Sequence, residues 1–147
     1  MRTDTTSAAS AIFAANRAQG AVAFDVHQVE GVTRRRELHE SGSLRVRFPS
    51  PEAEGLSAVF VNTAGGVAGG DRFDIEIATG EGSRLAVTTA AAEKVYRAEG
   101  PQAELNISLK VAAGAHLGWL PQETILFDRA RVSRRIDIDL AESASLP

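Results

Sequence analysis

The chain has 147 residues, and its 16 Lys and Arg stand against 19 Asp and Glu for a formal charge of −3 at pH 7. That balance argues against a nucleic-acid binder and leaves no polybasic segment for an anionic membrane. A hydrophobic share of 44% suits one packed domain, and the lack of cysteine rules out disulfides, thiolate-held metals and a thiol nucleophile.

Residues 1–20 differ from the rest. They are rich in Ala, Ser and Thr, with Ile12 and Phe13 as bulky apolar groups. The segment predicts a flexible tail or a short helix ended by Gly20. It lacks the charged-then-apolar layout of a signal peptide, and no apolar run approaches a membrane span, so a cytoplasmic protein is expected. A β-rich domain is expected over 21–147. Val22, Phe24 and Val26 alternate with small or polar neighbours, as do Leu44, Val46 and Phe48, and later Phe73, Ile75 and Ile77. Period two marks strands with one buried and one wet face. Residues 57–61 (SAVFV) are more continuously apolar, the pattern of a strand covered on both sides.

The chain also repeats itself. Phe73, Ile75, Ile77, Gly82, Leu85 and Val87 align with Leu105, Ile107, Leu109, Gly114, Leu117 and Trp119 at one constant shift, from 75 to 107. Each copy reads as a strand, a Gly-containing turn and a second strand. A third copy begins at Ile136, Ile138 and Leu140, aligned with Ile107, Leu109 and Val111 at a shorter shift, from 107 to 136. Units of this length predict stacked layers, each burying its face on the next, in an all-β, β-solenoid-like fold. The third copy stops partway, at Leu146 and Pro147, and an open layer invites pairing with other chains. The chain is therefore expected to be the N-terminal portion of a longer protein.

Three stretches carry the candidate chemistry. The first, N-T-A-G-G-V-A-G-G-D over 62–71, joins two strands. Its Gly65, Gly66, Gly69 and Gly70 permit positive φ and expose amides, in either a tight connection or a ligand loop. Asp71 and Arg72 stand where a P-loop has Lys and Ser, and a strand follows, so nucleotide binding is not expected. The second, T-T-A-A-A-E-K-V-Y-R over 88–97, mixes helix-favouring Ala90–Glu93 with strand-favouring Val95 and Tyr96. Its Glu93, Lys94, Tyr96 and Arg97 form either a solvated strand end with an ion pair or a partner-binding edge.

In the third, W-L-P-Q-E-T-I-L-F over 119–127, Pro121 interrupts the ladder and leaves Gln122 and Glu123 facing outward. Trp119, Leu120, Ile125 and Phe127 are expected in the core. Glu123 is either a turn carboxylate or a functional acid. His27, His39 and His116 are isolated, so no tightly bound metal is expected. No Ser-His-Asp or Gly-x-Ser-x-Gly pattern is present, and the residues alone favour a binding or scaffold role over an enzyme.

With L-H-E-S-G-S-L-R-V-R-F-P over 38–49, these stretches resemble, in order and spacing, the urease accessory protein D family, called H in some organisms. The resemblance runs from about Ala21 on. It implies a non-catalytic scaffold that binds apo-urease and accessory protein F, which recruits the GTPase accessory protein G that delivers nickel. It implies a β-solenoid of stacked strands with helical additions. It further implies nickel in transit through an internal passage lined partly by carboxylates, with no stably bound cofactor. Oxygen donors hold nickel less firmly than imidazole or thiolate, which suits hand-over.

On this chain the resemblance points to the loop from Gly65 to Asp71, to Glu93–Arg97 and to Gln122 and Glu123. Asp71, Glu93 and Glu123 are the candidates for the passage or its mouth. Lys94, Tyr96 and Arg97 are candidates for partner contact or a supporting ion pair. Gly118 stands where many relatives carry a larger, often charged residue. The competing expectation is a small-ligand or carbohydrate-binding β-domain, in which Trp119, Tyr96 and the Gly-rich loop line one pocket.

Overall fold

A computed structural model describes residues 17–49 and 55–147; residues 1–16 of the tail or helix expected over 1–20 lie outside them, and Gln19 and Gly20 begin the first strand. Among the described residues the regular structure consists of strands, eleven in number, with no helix. β1 (Gln19–Val29) turns through Glu30 and Gly31 into β2 (Val32–Gly42). Both turn residues take positive φ, 52° and 80°, which matches the twist of an antiparallel pair. β3 (Leu44–Arg47) and β4 (Leu56–Asn62) form a second antiparallel pair.

From there the chain cycles. β5 (Arg72–Thr79), β6 (Arg84–Thr89) and β7 (Glu93–Val95) are followed by β8 (Ala103–Val111), β9 (His116–Trp119) and β10 (Thr124–Leu126), and then by β11 (Val132–Leu140). Three sheets result, ordered β11-β8-β5-β1-β2, β3-β4-β6-β9 and β10-β7. The first two are mixed, because β1–β2 and β3–β4 are antiparallel and every other pair is parallel. Parallel neighbours need a long crossover, usually a helix. Here the crossover from β5 to β8 is made of strands, one in each of the other two sheets.

The sequence repeat is the register of these sheets. Ile75 pairs with Ile107 and Leu85 with Leu117, while Ile107 pairs on its other side with Ile136. The matched glycines Gly82 and Gly114 both sit at turns with positive φ, 69° and 68°. Side chains in register form columns along the interior. Val22, Ile75, Ile107 and Ile136 make one, and Phe24, Ile77, Leu109 and Ile138 the next. The two large sheets meet over Phe48, Phe24, Phe60 and Trp119, whose ring centroids are 5.2 to 6.5 Å apart in successive pairs. Each such side chain removed from water contributes roughly 1.5–3 kcal/mol.

Two expectations need correction, and the mixed signal over 88–97 is decided. The segment 57–61 is not covered on both sides, because β4 turns Ala58 and Phe60 inward and leaves Val59 and Val61 half-buried. Ala90–Glu93 does not form a helix: Ala90 N–H donates to Phe60 O and Glu93 N–H to Glu123 O, so inter-strand pairing overrides local propensity. Leu120, Ile125 and Phe127 lie outside the core, at 58%, 42% and 44% exposure. They belong, with β11, to the last layer, beyond which no described strand lies.

Candidate functional site

The three motif stretches meet at one corner. Val67 of the Gly-rich loop bridges to Val95 in parallel, and Val95 in turn pairs with Leu126. Gln122 donates to Thr89 twice, from its backbone N–H and from Nε2, both at 3.1 Å. Tyr96 donates its hydroxyl to Gly65 O at 3.0 Å. Segments far apart in sequence are thus stacked as adjacent layers of one wall.

Within the loop, Gly66 has φ of 151°, and a Cβ there would lie 2.4 Å from the Tyr96 ring. A Cβ at Gly69 would lie 2.7 Å from both Ala98 Cβ and Pro101 O, and Gly65 and Gly70 take positive φ. Asp71 is buried, with Oδ1 accepting from Ala18 N–H and Oδ2 from Ala68 N–H, each at 2.8 Å. Its carboxylate therefore ties the loop to the start of β1, in charge-assisted bonds to backbone.

Glu93 faces the interior. Its carboxylate accepts from Thr124 Oγ1 at 3.1 Å and is paired with Arg134, whose guanidinium also donates to Thr124 Oγ1 at 3.3 Å. The two charged side chains are 27% and 35% exposed, so the pair is partly withdrawn from water. A cavity of about 220 Å³ is lined by Glu93, Thr124, Gln122, Thr89 and Arg134 together with Trp119 and other apolar groups. A second cavity, of about 300 Å³, opens beside the Gly65–Gly66 turn. The two share Phe60, Phe73, Ile75, Leu105, Thr89 and Glu93 as a common wall. Glu93 is the one carboxylate that lines both, in surroundings that are otherwise mostly apolar.

Of the remaining candidates, Lys94 lines the second cavity, while Tyr96, Arg97 and Glu123 line neither. Lys94 is exposed, and Arg97 makes an exposed ion pair with Glu99 at 3.0 Å, a contact of small energetic value. Tyr96 packs on Phe127 with ring centroids 5.3 Å apart. The Glu123 carboxylate is exposed and forms no ion pair among the described residues; its backbone carbonyl serves Glu93 N–H. Trp119 lines the first cavity and Tyr96 lines neither, so these two rings and the loop do not form one pocket. Among the described residues no group of three or more His, Cys, Asp or Glu side chains is placed to hold a metal ion. No helix of the described residues is long and apolar enough to cross a membrane.

Sequence reasoning missed Arg134. The signal was present in the repeat, because the shift from 107 to 136 also sets Arg134 opposite Leu105, an inward position.

A family model described as UreD urease accessory protein matches residues 18–147. The chain belongs to this family. It is 71% identical over 146 residues to a urease accessory protein UreD of Rhodopseudomonas palustris strain HaA2, covering 99% of this chain and 52% of that protein. It is 77% identical over 140 residues to the UreD of Bradyrhizobium diazoefficiens, covering 95% and 51% respectively. A further relative, named urease accessory protein UreD 3, from Bradyrhizobium sp. strain BTAi1, is 72% identical over 146 residues and is covered to 52%. The chain spans about half the length of the curated relatives it matches.

Proposed function

We propose that this chain is a non-catalytic, cytoplasmic scaffold for urease maturation. It holds apo-urease and accessory protein F, through which the GTPase accessory protein G is recruited, and it gives nickel a route toward the urease active site. The observation that carries this reading is the family match over residues 18–147, at a corner where all three motif stretches converge. The role in maturation comes from the relatives' names, urease accessory protein UreD.

In this reading the strands are successive coils of a β-solenoid, with three sheets as its faces. The adjoining cavities are a segment of the nickel route, with Glu93 as its oxygen donor at the junction. A lone carboxylate with hydroxyl and amide neighbours holds a divalent cation briefly, as hand-over requires. Tyr96, Lys94, Arg97 and Glu123, exposed around the same corner, are the partner-facing groups. Nickel is cargo here, and no resident cofactor is needed.

The test is maturation of urease co-expressed with its other accessory proteins, with this chain present or absent. The reading predicts a higher nickel content and higher urease activity when the chain is present, and a lower gain with Glu93→Gln. Equal nickel content in all three cases, with the chain folded and expressed, contradicts it.

A further inference from the structure

The second cavity, of about 300 Å³, has walls and a mouth of different character. Its walls are apolar, with the buried Phe73 and Leu105 of the first sheet facing Leu44 and Phe60 of the second. They belong to β3 through β8, and no residue of β9, β10 or β11 lines the space. The mouth lies where the chain passes from the second sheet to the third. Ala90, Ala91 and Ala92 cross there between β6 and β7, beside the Gly65–Gly66 turn. Counted back from the pair Glu93–Thr124, Ala91 and Ala92 stand where the next layer has Gln122 and Glu123, so this layer leaves the corner open. A Cβ on Gly65 would meet nothing within 4 Å. The rim carries one unpaired charge. Lys94 forms no ion pair among the described residues, whereas the Glu93 carboxylate on the inner wall is paired with Arg134. On the same rim the amides of Gly66, Ala91 and Ala92 donate to no acceptor among the described residues.

We propose that this cavity is a binding site for an amphipathic carboxylate, its apolar chain seated between the two large sheets and its carboxylate at the mouth beside Lys94. The inference goes beyond the scaffold reading and does not depend on it. Removal of the apolar chain from water supplies the affinity. Lys94 and the unpaired amides select the sign of the head group: a carboxylate gains an ion pair and hydrogen bonds, and an ammonium meets a like charge. A ligand that is polar along its whole length is rejected, because the walls offer it no hydrogen-bond partners to replace water. Two sources share this chemistry, a free medium-chain acid and a protein segment in which an apolar side chain adjoins Asp or Glu.

The test titrates the purified chain with sodium octanoate, followed by calorimetry, beside hexanoate and octylammonium. Octanoate binds at one site. Hexanoate, two methylenes shorter, binds about tenfold more weakly, and octylammonium is weakened at least as much. Lys94→Gln weakens octanoate about fivefold, the scale of one solvent-touching ion pair, and moves octylammonium the other way. Ala92→Leu narrows the mouth and weakens octanoate about tenfold or more; Ala91→Leu, at an exposed position, is the second such variant should the first fail to fold. A folded chain that binds no octanoate overturns the proposal. So does octylammonium binding as tightly as octanoate, or an octanoate affinity indifferent to both the lysine and the alanine exchanges. Octanoate added during co-purification with urease and accessory protein F separates the two sources: release of a retained protein identifies a protein segment as the occupant, and unchanged retention identifies a free acid. A chain that binds octanoate and retains neither protein leaves the site standing while the scaffold reading falls.

Discussion

Arg134 stands opposite Leu105 in the parallel pair β11–β8, and its guanidinium reaches across the interior to Glu93 on the small third sheet. A single inward charge thereby links two faces of the molecule through a cavity that is otherwise largely apolar. The pair is partly solvated, so its energetic coupling is modest. A double-mutant cycle with Glu93→Gln and Arg134→Met should give a coupling of about 1 kcal/mol in urea titrations, the upper end for solvent-touching pairs. A coupling near zero would remove the link between the two faces.

The columns predict a gradient of mutational cost. Ile107 is 7% exposed and lies between Ile75 and Ile136, whereas Ile136 is 41% exposed on the edge strand. Ile107→Ala should cost about 2–5 kcal/mol, the range for emptying a packed site. Ile136→Ala should cost under about 1 kcal/mol, because the removed atoms already touch water. Equal losses in chemical denaturation would contradict the assigned register.

Much of the fold was legible because its repeat lies in the sequence itself. The shift that aligns Phe73, Ile75 and Ile77 with Leu105, Ile107 and Leu109 is the pairing of β5 with β8. The third, two-stranded sheet was hidden, since strands of three residues are too short to show a period. The exposure of Leu120, Ile125 and Phe127 was hidden for another reason: alternation reports which way a side chain points, not whether a further layer covers it. The site was half legible. Glu93 and Gln122 were singled out and do share a cavity with Thr89 and Thr124. Asp71 is a candidate for the passage or its mouth by resemblance alone, and only its bonds to Ala18 and Ala68 reveal a loop clamp.

That clamp gives a direct prediction. Asp71→Ala leaves two partly buried amides without these acceptors, at a cost of about 1 kcal/mol for each, the low end for an unsatisfied group. Amide exchange at Ala18 and Ala68 should accelerate more than at Val87, which is buried in another sheet. Uniform acceleration would argue against a local clamp.

Thr79 offers the opposite sign. It is buried between Val26 and Val111 in its column, and its hydroxyl has no hydrogen-bond partner among the described residues. Thr79→Val keeps the shape and removes a polar group that gains nothing inside. The variant should be more stable by about 1 kcal/mol in urea titrations. A loss of stability would show that the hydroxyl has a partner in solution.

At the Gly-rich turn, any side chain at Gly66 meets the Tyr96 ring, since its Cβ would fall 2.4 Å away. Gly66→Ala should displace the single tyrosine and change its fluorescence, with the hydrogen bond from Tyr96 to Gly65 lost. Its stability should fall by more than that of Tyr96→Phe, which removes the bond alone at about 0.5–1.5 kcal/mol. The reverse order would place the ring elsewhere.

The scaffold role is tested most directly by co-purification of the tagged chain from cells that also express the urease subunits and accessory protein F. The scaffold reading predicts that urease is retained with the chain, and that exchanges at Tyr96, Arg97 or Glu123 weaken retention without unfolding it. A folded chain that retains neither urease nor accessory protein F, while a double-length relative treated in parallel retains both, would contradict it.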